Sequence, residues 1–277
     1  MRQPLFRAAL AAALSSATAG CATLSEADQT TQASYAALSA AIAAPHRTPA
    51  NVARDPHRHP LETLSFFGVE PNDTVVEIWP GGGWYTEILA PYLAQGGGTY
   101  YAATPVGRGT ERFQTFIGAN PLYSNVRVAN FPILGAAGGN PVPAGSADVV
   151  LTFRNVHNWM MGETPFAEDA FRQLYAMLKP GGTLGVVDHR LPESADSARE
   201  RTSGYLKVST VRRLAESAGF RFVGASEVNA NPRDTADHAN GVWSLPPTFR
   251  GGDVDREKYL AIGESDRMTL KFVKPAG

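Results

Sequence analysis

Short apolar runs alternate with amphipathic stretches along most of this chain, and the two periods separate its elements. Runs rich in β-branched and aromatic residues at Thr74 to Trp79, Thr99 to Ala103, Val126 to Phe131, Asp148 to Phe153, Thr183 to Asp188, Phe222 to Val228 and Met268 to Val273 predict strands. Between them, apolar residues at helical spacing predict helices over Tyr85 to Leu93, Glu111 to Ile117, Phe166 to Leu178 and Thr210 to Ala218. Ser209 is placed to cap the last of these and Gly219 to stop it. Strand and helix in strict alternation predict a doubly wound α/β sheet covered on both faces.

Three stretches lie outside that alternation. Glu26 to Ala44 carries Tyr35, Leu38 and Ile42 at helical spacing before Pro45 and Pro49 break it, which predicts a helix apart from the sheet. Asn51 to Pro60 is polar (Arg54, Asp55, His57, Arg58, His59) and reads either as a flap over a pocket or as surface; Leu61 to Phe67 then forms a short helix. His57 and His59 are spaced like two metal ligands on an extended segment, but no second local pair follows, so a solvated turn is the better reading. The long stretch Asn231 to Asp266 is rich in Pro and Gly and predicts an ordered loop or lid. The expected layout is thus an N-terminal helix and flap over 26–60, and an α/β domain over 61–277 with an insertion at 231–266.

The first residues have a different grammar. Arg2 and Arg7 precede the apolar stretch Ala8 to Leu14 and the small residues Ala17-Thr18-Ala19, the pattern of a secretory signal over 1–20. That stretch is shorter than the roughly twenty residues a membrane helix needs. Cys21, the single cysteine, follows Thr18-Ala19-Gly20, which is similar to the lipobox of bacterial lipoproteins except at Thr18. Two readings stay open, a lipid anchor on Cys21 or a plain cut after Ala19, and both place the chain outside the cytoplasm, in the periplasm or tethered to a membrane. With no second cysteine the chain has no disulfide and depends on its core. Among 277 residues the formal net charge is -1, without the basic stripe that nucleic acid requires; the expected partner is a small molecule.

The most informative run is Val75-Val76-Glu77-Ile78-Trp79-Pro80-Gly81-Gly82-Gly83-Trp84-Tyr85-Thr86-Glu87-Ile88-Leu89, a strand, a glycine turn and a helix. Glycines admit positive φ and close approach of a ligand to backbone, and the helix beyond offers unpaired N–H groups. In this order the chain resembles the class I S-adenosylmethionine (SAM)-dependent methyltransferases. Gly97-Gly98-Thr99-Tyr100-Tyr101-Ala102-Ala103, Ser146-Ala147-Asp148-Val149-Val150-Leu151, Leu178-Lys179-Pro180-Gly181-Gly182-Thr183-Leu184 and Ala218-Gly219-Phe220 match the family's later motifs in order, from about Leu61 to Val273. The resemblance implies a seven-stranded sheet with an antiparallel last strand. It also implies SAM held by Glu77, Trp79, Pro80, Gly81, Gly82, Gly83, Thr104, Asn130 and Arg154, with Thr104 in the ribose position and Asn130 in the adenine position. At two places the chain departs from the family: Trp79 stands where glycine is usual, and Thr104 where an acidic residue grips the ribose.

Ligands of doubly wound sheets bind beyond the carboxyl ends of the strands. There this chain places Arg154, Asn155, His157 and Asn158, then Asp188, His189 and Arg190. Methyl transfer needs alignment and sometimes a base, for which His157 is the first candidate and Asp188 the second; Asp188 is equally placed to pair with Arg190 or Arg154. Trp84 and Tyr85 read as packing rather than ligand stacking, and Glu264 and Asp266 as groups that cap or pair locally before the last strand. The leading expectation is a small-molecule methyltransferase. A fold of this type that binds another ligand without methyl transfer is the alternative, and an unrelated acid/base enzyme using His157 and Asp188 is a third. No G-x-S-x-G turn occurs and the only thiol is Cys21, which disfavours nucleophilic hydrolysis.

Overall fold

The computed structural model describes residues 26–134 and 139–277; the expected signal over 1–20 and Cys21 lie outside them. Seven strands form one sheet in the order β3-β2-β1-β4-β5-β7-β6. They are β1 (Thr74–Ile78), β2 (Thr99–Thr104), β3 (Arg127–Asn130), β4 (Ala147–Phe153), β5 (Leu178–His189), β6 (Arg221–Ser226) and β7 (Arg267–Val273). β1 to β5 pair in parallel, and β7 runs antiparallel between β5 and β6. This is the Rossmann-like methyltransferase fold that the motifs imply.

Ten helices accompany the sheet among the described residues: α1 (Glu26–Ile42), α2 (Pro49–Val52), α3 (Asp55–Arg58), α4 (Pro60–Phe67), α5 (Thr86–Gly96), α6 (Arg108–Gly118), α7 (Val156–Met160), α8 (Ala167–Met177), α9 (Val208–Ser217) and α10 (Arg256–Ile262). Strand alternation sorts the core into two layers. Val76 and Ile78 of β1 face the side where Phe171 and Leu174 of α8 and Val211 and Leu214 of α9 pack. Val75 faces the other side, with Leu64 and Phe67 of α4 and Ile88 and Leu93 of α5, and Leu38 of α1 joins this second layer. Gly185 of β5 is needed there, because a Cβ would come within 2.7 Å of the Phe67 ring.

Several expectations need correcting. The N-cap of α9 is Lys207 with no side-chain cap bond; Ser209 instead hydrogen-bonds Glu193, its N–H 3.0 Å and its hydroxyl 2.6 Å from the carboxylate. The polar stretch before α4 is two short helices rather than an open turn. The insertion before β7 is ordered and contains α10 and a 3₁₀ turn at Gly241–Ser244. Its inner tie is Asp234, which accepts from the Tyr205 hydroxyl at 3.0 Å, binds His238 Nε2 at 2.8 Å and accepts the Asp266 N–H at 2.8 Å. Asp234 and His238 therefore hold the insertion together, while Trp243 reaches the site.

Candidate functional site

At the end of β1 the Trp79 N–H donates to the Ala103 carbonyl at 2.8 Å, and the chain turns left-handed at Trp79 (φ 50°), Gly81 (60°) and Gly83 (81°). Trp79 thus keeps the backbone shape a glycine would adopt, at a cost on the order of 1 kcal/mol or more. The indole contacts offset that cost. Nε1 donates to the Phe131 carbonyl at 2.8 Å, and the ring meets Trp159 edge-on at 6.1 Å and Phe166 at 6.3 Å between centroids. Because β2 lies between β1 and β3, an indole rooted at β1 and bonded just past β3 lies across the end of β2.

That stretch is where the family resemblance puts adenosine, and its other polar groups are also engaged. Thr104 Oγ1 lies 2.7 Å from Thr110 Oγ1 and 3.3 Å from the Ala129 carbonyl. Asn130 donates through Nδ2 to Thr110 at 3.0 Å and accepts the Asn140 N–H at 2.9 Å. The turn itself is open: a Cβ on Gly81 or Gly82 would meet no atom within 4 Å, whereas one on Gly83 would lie 2.3 Å from the Phe116 ring. Beyond it a hollow of about 560 Å³ runs along Thr104, Pro105, Gly109, Phe113 and Phe116 without reaching Asn130. Backbone and space suit a nucleoside, but the side chains that would grip adenosine in the family's manner are absent or spent, and SAM does not fit that binding mode.

On the other side of the turn, a second hollow of about 390 Å³ opens over β4 and β5. Both hollows share Trp79, Pro80, Gly81, Gly82 and Asn155. Asn155 holds the strand ends in register, donating to the Ile78 carbonyl at 2.8 Å. After it α7 presents His157, whose Nδ1 lies 2.7 Å from Asp188 Oδ1. Asp188, fully buried at the end of β5, also accepts the backbone N–H of His157 at 3.1 Å and of His189 at 2.8 Å. The carboxylate therefore fixes the proton of His157 on Nδ1 and leaves Nε2 without a protein partner, lining the hollow. Asp188 pairs with neither expected arginine; Arg190 pairs with Asp266 and Glu227, each at 2.8 Å.

The remaining wall is cationic. Arg54 and Arg58 come from the segment before α4 and Arg154 from the end of β4 (φ 62°), while Arg267, at the start of β7, stands behind the lining. Glu264 receives Arg54 at 2.7 Å and Arg267 at 3.1 Å, with Arg58 at 4.0 Å, while Arg154 has no side-chain hydrogen bond or ion pair among the described residues. Arg58 also lies over the Trp84 ring, 4.6 Å from its centroid. Burial opposes the charge on Glu264, yet the Arg54 bond and the charges of Arg267, Arg54 and Arg58 bring its pKa down to about 2. Burial, with Arg154 and Arg54 nearby, lowers Arg58 to about 8; burial, with Arg267 and Arg54, lowers Arg154 to about 10. Glu77 goes the other way: burial raises it to about 7 despite the Tyr100 hydroxyl it accepts and the charges of Arg58 and Arg154.

His157, Asp188 and His189 bring ligand atoms within 4.8 Å of one another, a donor set a divalent cation could use. Two observations oppose a cation there. The Asp188 carboxylate is already taken by three N–H groups, and His189 is held well below the usual imidazole range by burial, His157 and the field of Arg154, Arg267 and Arg58. A field that resists a proton resists a metal ion too.

The structure brings together Glu77, the turn from Trp79 to Gly82, Arg154, His157 and His189 around one hollow, with Asp188 behind His157. Thr104 lies in the other hollow, and Asn130 lines neither. Trp84 and Tyr85 pack as expected, Tyr85 stacked on Phe153 at 3.6 Å, yet both also line the cavity. Glu264 pairs locally as expected, with Arg267 at 3.1 Å; missed from the sequence were its bond to the distant Arg54 and the concentration of arginines, for which the dense charge of Arg54-Asp55-Pro56-His57-Arg58 was the available signal.

The sequence matches no protein-family model and no curated protein. Solved structures do match, and they share the fold. A SAM-dependent methyltransferase from Aquifex aeolicus aligns with a TM-score of 0.53 at 17% identity, over 80% of this chain and 93% of that one. The [4+2]-cyclase SpnF gives 0.56 at 18% identity over 80% and 82%. Geranyl diphosphate methyltransferase in complex with SAM gives 0.52 at 14% identity over 85% and 94%. At such identities the chain is similar to these proteins in fold, and its site has to be read from its own residues.

Proposed function

We propose that this chain uses the methyltransferase fold to hold a small molecule in the hollow over β4 and β5, with the His157–Asp188 pair as its proton-handling centre and without SAM in the family's adenosine position. The observation that carries this reading is the Trp79 indole, bonded to the Phe131 carbonyl and lying across the end of β2. His157 Nε2 accepts a proton from a ligand O–H or N–H, and Asp188 stabilises the imidazolium that results. His189, kept neutral and 5.0 Å from His157 between ring centroids, lines the same wall, with Nδ1 engaged by Ser265. Trp243 closes the far side, its ring 6.2 Å from that of His157.

Small-molecule methyl transfer is the second reading. It is supported by the left-handed backbone kept at Trp79, the open faces of Gly81 and Gly82, and the 560 Å³ hollow beyond them. In that reading SAM, a methyl donor, lies along the turn, and His157 takes the acceptor's proton. Titration calorimetry with SAM and S-adenosylhomocysteine on the purified chain separates the two. No heat at millimolar ligand supports the first reading, and saturable micromolar binding replaces it with the second. Export and a lipid on Cys21 belong to the same proposal; labelling with a radioactive fatty acid, lost in Cys21→Ser, tests the anchor.

A further inference from the structure

The polar groups of the hollow over β4 and β5 do not balance. Arg54, Arg58, Arg154 and Arg267 surround it or stand just behind it, and Glu264 is the one carboxylate that pairs with any of them among the described residues. Glu77, the other acid on the wall, is already bonded by the Tyr100 hydroxyl. Even the paired arginines keep unspent donors. Arg54 Nη2, Arg58 Nε and Arg267 Nε are buried without a partner, and Arg154, half-buried in the lining of the hollow, makes no side-chain hydrogen bond or ion pair among the described residues. Charges held in a partly buried wall without partners are costly, and here burial and mutual repulsion already oppose the charge on Arg58 and Arg154, so an arrangement of this kind is stable chiefly when something anionic completes it.

We infer that the hollow binds a small molecule through an oxyanion, a carboxylate or phosphate group, received by Arg154 together with Arg58 and Arg54, with the rest of the molecule directed toward His157. The inference rests on the reading that the ligand occupies this hollow, and it names the ligand's class. Planar forked donors match the oxygens of such groups in pairs, which an ammonium does not. Tyr85, stacked on Phe153, and Trp243, itself covered by Arg250 at 4.4 Å, supply apolar faces for the remainder of the molecule. A volume of about 390 Å³ limits that remainder to a few rings or a short chain. The methionine end of SAM does not meet this demand, since its ammonium and carboxylate cancel and its sulfonium adds a further positive charge.

Thermal unfolding of the purified chain against inorganic phosphate and pyrophosphate, with chloride at equal ionic strength as control, tests the inference. The expected result is a saturable rise in Tm with the phosphates alone. Arg154→Gln should bind phosphate at least tenfold more weakly, while its Tm without anion stays level or rises, because a half-buried charge without a partner has been removed. Arg154→Lys, keeping the charge but losing the fork, should fall between. Equal phosphate shifts in wild type and Arg154→Gln overturn the inference, as does a shift no larger than that of chloride. If S-adenosylhomocysteine binds, the first functional reading fails on its own; the anion site survives if phosphate still binds the loaded chain, and falls if the two compete.

Discussion

The two hollows that meet at the glycine turn use their polar groups in opposite ways. On the β2 side the hydroxyl of Thr104 is bonded within the protein, as are the indole N–H of Trp79, which borders both hollows, and the amide of Asn130 just outside them. On the β4–β5 side Arg154 and His157 Nε2 face the hollow without protein partners. Groups bonded inside the fold contribute to stability, whereas buried groups left open cost stability and persist where a ligand completes them. In the proposed reading the fold's usual cofactor side serves as scaffold, and the groups left open for a ligand are concentrated across the turn.

Removing the one carboxylate that pairs with the arginines should have the largest effect. Glu264→Gln leaves Arg54, Arg58, Arg154 and Arg267 facing one another and is expected to cost about 3–5 kcal/mol in urea unfolding, partly restored by phosphate. A neutral outcome would show that no cationic surplus exists. Trp79→Gly probes the other side. Losing the indole should cost about 3 kcal/mol, reduced by about 1 kcal/mol as the left-handed strain is relieved, and binding of S-adenosylhomocysteine should appear or tighten as the end of β2 is uncovered. If the variant gains no such binding, the indole is not what excludes the nucleoside.

Asp188→Asn should cost about 1–3 kcal/mol, because an amide cannot accept from all three N–H groups at once. It should also remove ligand turnover by changing the tautomer of His157. The smallest effect is a pH slope, at most about 1.4 kcal/mol per pH unit for each group. The Glu264 pKa is lowered from 4.5 to about 2, so its contribution is full above 4.5 and is lost as pH falls through 2. That of Glu77 is raised from 4.5 to about 7; the folded chain holds a proton the unfolded chain has released, and stability falls as pH rises from 4.5 to 7. The two slopes have opposite signs, and Glu77→Gln should remove the second alone.

Much of the framework was legible because its signals are local. The strand and glycine-turn motifs predict every strand to within a few residues, except that β5 begins earlier, at Leu178. The antiparallel last strand follows from the family likeness rather than from periodicity. α7 and α10, of 5 and 7 residues, escape because so few turns show no clear period. The candidate site was half legible. His157 and Arg154 stand just after β4 and Asp188 at the end of β5, where ligands of such sheets bind. The bond from Arg54 to Glu264 joins positions 210 apart in the chain, and the destination of the Trp79 indole depends on Phe131 and Trp159, which no local pattern brings together.

The chain contains four tryptophans, and three of them, Trp79, Trp84 and Trp243, line the hollow over β4 and β5; only Trp159 lies wholly in the core. Guanidinium groups cover the rings of Trp84 and Trp243, at 4.6 and 4.4 Å from their centroids. Intrinsic fluorescence is therefore a built-in indicator of occupancy. A ligand that draws Arg58 or Arg250 away from an indole changes emission without any label, so collections of small acids can be screened on the unmodified protein.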